Sequence, residues 1–310
     1  MRLTELLTKS FAETNGLQRF LSRKVLFKPM EALGFHVVGD HFYEPIPNLK
    51  AIARTYDENK FRLPTGQTFS SDECAKQFES VLGSLLADCK QDLDRAGFTI
   101  NPYFRFQDAV TLYCTLRSER IHTVIEIGQG YSTLVTLAGL RANRTNGSKT
   151  KFISIDPFDR LGCQGNADAA DAAEVTLRRT RIQDIDPVEL CSQLGPGTLL
   201  FIDSSHVFKP GSDVEYMFRE IFPRIPVGTL LHVHDIYTPY PIPTSRYTQD
   251  KLFFSEQHHL ESFLEFNSSF VIHTPVFWLF RDYASLRAQL RVSGLPDDLP
   301  GNSFYLQRTG

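Results

Sequence analysis

Two short stretches concentrate the side chains that could move a proton: Phe201-Ile-Asp-Ser-Ser-His206 and Leu231-His-Val-His-Asp-Ile236. Each closes an apolar run, so its polar residues should lie just past the carboxyl end of a buried strand. His206 and His234 are candidate general bases, because imidazole titrates near working pH. Asp203 is a partner for either, or only orders its loop. His232 alternates with His234 and therefore points to the same side of its strand, where a hydrogen-bonded core histidine is an equal reading.

The element that must position these groups is Thr123-Val-Ile-Glu-Ile-Gly-Gln-Gly-Tyr-Ser-Thr133. Val124, Ile125 and Ile127 make a β-branched run ended by Gly128, which reads as a buried parallel strand. Gly128 and Gly130 allow a tight turn and close approach of a ligand to the backbone. The composition from Tyr131 to Leu140 is that of a helix, whose free N–H groups would face that ligand. Strand, glycine turn and helix open a nucleotide-binding α/β unit. Thr133 stands where a dinucleotide fingerprint needs its third glycine, which disfavours NAD, and no Gly-Lys-Ser/Thr follows for a phosphate-cradling loop. Glu126, just before the first glycine, suits a cationic ligand better than a pyrophosphate. The stretch resembles motif I of class I S-adenosylmethionine (SAM) methyltransferases, whose E-x-G-x-G pattern matches Glu126, Gly128 and Gly130. The resemblance implies SAM as co-substrate, with Tyr131 and Ser132 completing the contact.

Around this centre the chain reads in order. Residues 1 to about 100 are mostly helical and form a cap: Leu3, Leu6, Leu7 and Phe11, then Leu17, Phe20 and Leu21 after a break at Asn15-Gly16. Gly34 to Pro47 mixes aromatics, histidines and prolines and suits an ordered loop, from which His36, His41 and Tyr43 could reach a substrate. Ser70-x-x-Glu73 is a capping box opening a long helix closed by Gly97. A helix from Asp108, a plausible N-cap, runs to about Arg120. The second strand, Lys151-Phe-Ile-Ser-Ile-Asp156, ends in a carboxylate that can accept both ribose hydroxyls of a nucleoside. A third runs through Val175 to Ile182, ending at Gln183-Asp184, where the resemblance places the adenine edge. Thr198 to Ile202 and Gly228 to Ile236 are the fourth and fifth strands, with a helix at Val214 to Phe222 between them. Tyr237 to Tyr247 is a Pro- and Tyr-rich loop or lid. A helix at Phe253 to Phe266 carries His258-His259 on a solvated face, and strands follow at Phe270 to His273 and, at the edge, Ser303 to Gln307.

Alternating strands and helices imply a parallel sheet with right-handed crossovers. The expected class is therefore α/β, a seven-stranded, mostly parallel, doubly wound sheet of the class I methyltransferase type, residues 101–310, under the helical cap of residues 1–100. In that architecture the fourth and fifth strands are neighbours, so their terminal side chains would meet. The resemblance narrows to methyltransferases with paired Ile-Asp-Ser-Ser-His and His-x-His-Asp-Ile motifs, which often carry an N-terminal Phe-Tyr-x-Pro-Ile-Pro, here Phe42 to Pro47. The layout is also similar to that of catechol-type O-methyltransferases, which hold Mg²⁺. By that likeness Asp203, His234 and Asp235 fall on the metal ligands and His206 on the catalytic lysine. His234 departs from the pattern: Mg²⁺ prefers oxygen, whereas imidazole suits Zn, Mn or Fe. Either the metal differs or the histidines act alone. The function expected is methyl transfer to a small molecule; the alternative is other SAM chemistry, such as ring closure releasing methylthioadenosine.

Composition sets the bounds. The 310 residues are 42% hydrophobic, enough for a sizeable core, and the net charge of −3 gives no reason to expect a nucleic-acid-binding surface. Cys74, Cys89, Cys114, Cys163 and Cys191 have neither zinc nor redox spacing, which fits a reducing cytoplasm. No apolar run is long enough for a membrane span. A small-molecule partner is expected, and a homodimer is admitted.

Overall fold

The computed structural model describes residues 20–39, 44–145, 147–158, 175–294 and 300–310. The chain divides into two compact units, Met1–Glu58 with Pro243–Phe253, and Asn59–Ile242 with Phe254–Gly310. In the first, a π-helical turn at Leu21–Leu26 runs into the helix Phe27–Ala32. The helix Leu49–Thr55, not foreseen in the sequence, starts where the Asn48 side chain accepts the Ala51 N–H. It packs on the helix Thr244–Thr248, with Tyr56 edge-on to Tyr247. The first helix expected to carry Leu3, Leu6, Leu7 and Phe11, the break at Asn15-Gly16, His41 and Tyr43 lie outside the described residues.

The second unit is built on a seven-stranded sheet: β1 (Thr123–Ile127), β2 (Lys151–Ile155), β3 (Thr176–Arg178), β4 (Thr198–Ile202), β5 (Leu230–Val233), β6 (Phe270–Pro275) and β7 (Phe304–Arg308). The order is β3-β2-β1-β4-β5-β7-β6. The first five pair in parallel, and β7 is antiparallel to both β5 and β6. The order reverses between β1 and β4, which opens a crevice at their carboxyl ends. Both faces are covered, so the central strands are apolar on each side. Val124, Leu199, Phe201 and Tyr305 pack with the core residues of the helices Ser71–Arg95, Phe106–Ser118 and Tyr131–Thr145. Ile125, Ile127, Leu200, Ile202 and Leu231 pack with Met217, Ile221, Leu260 and Leu264 opposite.

Three expectations shift. The third strand stops at Arg178, and Ile182–Asp184 is a single 3-10 turn. The last strand is not at the edge: β7 inserts between β5 and β6, leaving β6 outermost. Side chains occupy backbone groups of that edge, Gln67 foremost. Gln67 donates through Nε2 to the Phe270 carbonyl (2.9 Å) and accepts the Ile272 N–H (3.2 Å). Asp108 is not an N-cap; Arg105 holds that position, and Asp108 lies inside the first turn. The capping residue of the long helix is as expected, with Ser70 Oγ accepting the Glu73 N–H, and Gly97 closes the helix at φ +69°.

Candidate active site

The glycine turn after β1 is fixed from both neighbouring strands. Gly128 N–H donates to the Ile155 carbonyl (3.0 Å), and Asp203 N–H to that of Ile127 (2.9 Å). Gly128 has φ +89°, and a Cβ there would sit 1.9 Å from the Asp203 carbonyl oxygen. Only glycine fits. Gly130 has open space around its Cβ position instead.

Glu126, expected to suit a cationic ligand, is turned into the fold. It is fully buried, and its two oxygens accept the hydroxyls of Ser132 (2.7 Å), Thr133 (2.8 Å) and Ser154 (2.7 Å). This carboxylate ties the helix start and β2 to β1, and Thr133 replaces a third glycine because its hydroxyl is needed there. Burial pushes the Glu126 carboxyl up to about 7, against the three hydroxyl bonds that favour its charge. A carboxyl raised in the folded state binds its proton more tightly than in the unfolded chain, so stability falls as pH climbs from its unfolded value of about 4.3 through 7. The window is worth about 4 kcal/mol at 1.36 kcal/mol per unit. Urea unfolding of Glu126→Gln against the parent at pH 4.5 and 7.5 should show that slope removed; identical slopes would deny it.

Beyond the turn a cavity of about 490 Å³ is lined by Gly128, Gln129, Asp156, Phe158, Gln183, Asp203, Ser204 and Lys209, among others. Asp156 accepts the Gln129 N–H (2.9 Å) through one oxygen and the Phe158 N–H (2.7 Å) through the other. Tyr131, Ser132 and Asp184 are not part of this lining. Tyr131 turns its ring edge to Phe98, and Asp184 is held by both Nε (2.9 Å) and Nη2 (2.7 Å) of Arg181.

At the carboxyl ends of β4 and β5, His206 is the centre of a three-carboxylate clamp. Its Nε2 lies 3.2 Å from Asp203 Oδ1 and 3.5 Å from Asp235 Oδ2, and its Nδ1 lies 2.9 Å from Glu256 Oε2. His206 and Asp235 are both left-handed, at φ 59° and 58°. Such strain in non-glycine residues gathers at functional sites. The His206 carbonyl accepts the Ser255 (2.8 Å) and Glu256 (3.1 Å) N–H groups, which ties it to the start of the helix Glu256–Leu264. Burial alone would push the His206 imidazole down. The hydrogen bonds to Asp203 and Glu256 and the charges of Glu256 and Asp235 outweigh it and hold the ring well above its ordinary range. Both ring nitrogens face carboxylate oxygens, which only accept, so the geometry sets His206 as a donor to Asp203, Asp235 and Glu256, whereas the sequence suggested a free base. Glu256 was missed because it is 50 residues from His206, at a helix start with no distinctive pattern.

His234 turns away from this clamp. Its Nε2 meets the Tyr103 carbonyl (3.1 Å), and its Nδ1 meets Ser303 Oγ (3.3 Å). Ser303 spends its hydroxyl proton on Asp108 Oδ1 (2.7 Å). A carbonyl can only accept, so both ring nitrogens of His234 donate and the ring is charged. The charges of Asp203, Asp235 and Asp108 hold it above the ordinary value against burial. The metal set Asp203, His234 and Asp235 is therefore not formed: His234 has no lone pair to offer. Among the described residues no group of three or more His, Cys, Asp or Glu side chains could hold a metal ion. His232 is fully buried between Phe201 and Tyr305, without a hydrogen-bond partner among the described residues. It is a core histidine, packed rather than bonded, and burial depresses its protonation. His36 is exposed, and His259 stacks on Phe208 while His258 is solvated.

Residues 125–236 match a family model described as a methyltransferase domain. The match runs from β1 to the end of β5, the part that holds the glycine turn, the cavity and three of the four clamp residues, with Glu256 beyond it. A protein of Archaeoglobus fulgidus described as uncharacterized is 29% identical over 108 residues, 31% of this chain, and the chain spans 48% of that relative's length. Solved structures similar to the chain include the SAH-bound Podospora anserina methyltransferase PaMTH1, at 12% identity and a TM-score of 0.34, covering 78% of this chain and 98% of that one. Another is an apo structure of CmcI, at 13% identity and a TM-score of 0.38, covering 67% and 72%. Likenesses this distant carry no argument about chemistry. No helix among the described residues is long and apolar enough to cross a membrane.

Proposed function

We propose that the chain transfers the methyl group of SAM to a small-molecule acceptor, with the Asp203–His206–Asp235–Glu256 cluster orienting the acceptor and taking its proton. The observation that carries this reading is the double placement of Asp203: it lines the cavity beyond the glycine turn and touches His206. Bound SAM supplies a methyl group already activated on a sulfonium. What the protein adds is alignment and an outlet for the acceptor proton. Gly128 lets the ligand approach the turn, and Asp156 offers its carboxylate at the ribose. Asp203, whose side chain is one-third exposed, is the carboxylate within reach of an acceptor. His206, anchored by Glu256, donates to Asp203 and so aims it. A proton taken by Asp203 is shared with that network rather than left on one group.

Two measurements test this. Incubation with SAM and a panel of hydroxyl- and amine-bearing small molecules should yield S-adenosylhomocysteine (SAH) only with an acceptor. Methylthioadenosine formed from SAM alone would replace methyl transfer by ring closure. Asp156→Ala should weaken SAH affinity, since hydrogen bonds to a charged group contribute about 1.5–3 kcal/mol each. Unchanged affinity in calorimetry would remove Asp156 from the ribose.

A further inference from the structure

Behind Asp235 lies a buried carboxylate with no part in the reaction as described so far. Asp108 is fully buried in the helix Phe106–Ser118. Its Oδ1 accepts three hydrogen bonds from the turn entering β7: Asn302 N–H (2.8 Å), Ser303 N–H (2.9 Å) and Ser303 Oγ–H (2.7 Å). Gly301 lies so close that a Cβ there would come within 2.5 Å of the same oxygen. A buried carboxylate is costly unless its bonds are made; here Oδ1 makes three, all to one turn, while Oδ2 has no hydrogen-bond partner among the described residues. What the turn delivers is Asn302. Its Nδ2 donates to Asp235 Oδ1 and to the Tyr237 hydroxyl (3.1 Å), and its carbonyl accepts the Ile236 N–H (2.8 Å). One residue thus grips the left-handed Asp235 by its side chain and by the peptide that follows it. The other oxygen of Asp235 is the one that faces His206.

We propose that Asp108 and Asn302 are positioning residues: the Asp108 carboxylate sets the 301–303 turn, and Asn302 holds Asp235 in the conformation that meets His206. The inference rests on the cluster being the reaction centre. Neither residue lines the cofactor cavity, so each should act on the clamp without acting on cofactor affinity.

The test uses the full chain labelled with ¹⁵N-histidine, saturated with SAH at neutral pH. The Nε2–H resonance of His206 is assigned by its absence in His206→Gln. In the parent this proton, shared with two carboxylates, should exchange slowly with water. In Asn302→Ala and in Asp108→Asn its exchange should be about tenfold faster or more, as expected where a local contact opens. SAH affinity in calorimetry should stay within about twofold of the parent, because the cavity is untouched. A folded Asn302→Ala protein whose His206 proton exchanges at the parent rate overturns the proposal. Should Asp108→Asn fail to fold, Asn302→Ala still decides, because the three bonds to Asp108 come from the backbone of residue 302 and from Ser303. A parent protein that binds no SAH would sink the methyltransferase reading instead, and would leave the His206 signal measurable without it.

Discussion

Gly128→Ala is expected to abolish SAH binding and to destabilise the second unit. The left-handed backbone at φ +89° costs a side chain about 1–3 kcal/mol on its own. The added methyl would also stand 1.9 Å from the Asp203 carbonyl oxygen, well inside contact. That carbonyl cannot step aside cheaply, since the Asp203 N–H is bonded to β1 and the strands β1 and β4 pair along their length. The ends of the two central strands must separate, and Asp203 moves with them. Urea unfolding and calorimetry with SAH check both halves of the expectation. Gly130→Ala is the control: its Cβ meets nothing within 4 Å, so the fold should hold, and any loss of SAH affinity there reports the ligand alone. A Gly128→Ala protein that binds SAH like the parent would show that the turn is not where the cofactor sits.

The second large effect is expected from His206→Ala. The parent surrounds one cation with Asp203, Asp235 and Glu256. The variant leaves three carboxylates facing one another, one of them with a 2% exposed side chain. Breaking a buried pair by removing one partner costs about 3–5 kcal/mol. The sign with pH follows from the direction of the shift: the folded His206 value lies above the unfolded one of about 6.5. Its contribution is complete below the unfolded value and fades as pH rises through the folded one. The gap in stability between parent and variant should therefore be widest near pH 6 and close in alkali. Turnover should fall by about 10²–10⁴ if the cluster handles the acceptor proton. Equal gaps at pH 6 and pH 10 would mean that the ring is neutral in the folded protein.

How much of this was readable beforehand depends on the distance over which each signal acts. Gly128, the β-branched run before it and the acids after β2 and β4 are local patterns, and they put the cavity where it is. His206 and Asp203 were legible for the same reason, three residues apart beyond an apolar strand. Glu256 and Asn302 were not, because each reaches the cluster from another part of the chain. The protonation of His206 was equally hidden: an isolated imidazole is a base, and only its three carboxylates make it a cation. His234 failed as a ligand because Ser303 and the Tyr103 carbonyl, 69 and 131 residues away in sequence, take both its nitrogens as donors. Glu126 matched its motif but serves three hydroxyls, two at the helix start and one on β2, which the motif does not distinguish from service to a ligand. The position of β7 inside the sheet was missed because an amphipathic terminal segment reads as an edge whether or not another strand lies beyond it.

Gln67 bears on how copies of this chain can meet. An outermost strand with free backbone groups is a template on which an identical strand can add. Here the amide side chain of Gln67 imitates a neighbouring peptide and uses up the Phe270 carbonyl and Ile272 N–H, while the Cys74 thiol occupies the His273 carbonyl (3.3 Å). Growth of a continuous sheet from β6 would first have to evict these side chains. An amide and a thiol thus stand where an added strand would have to pair.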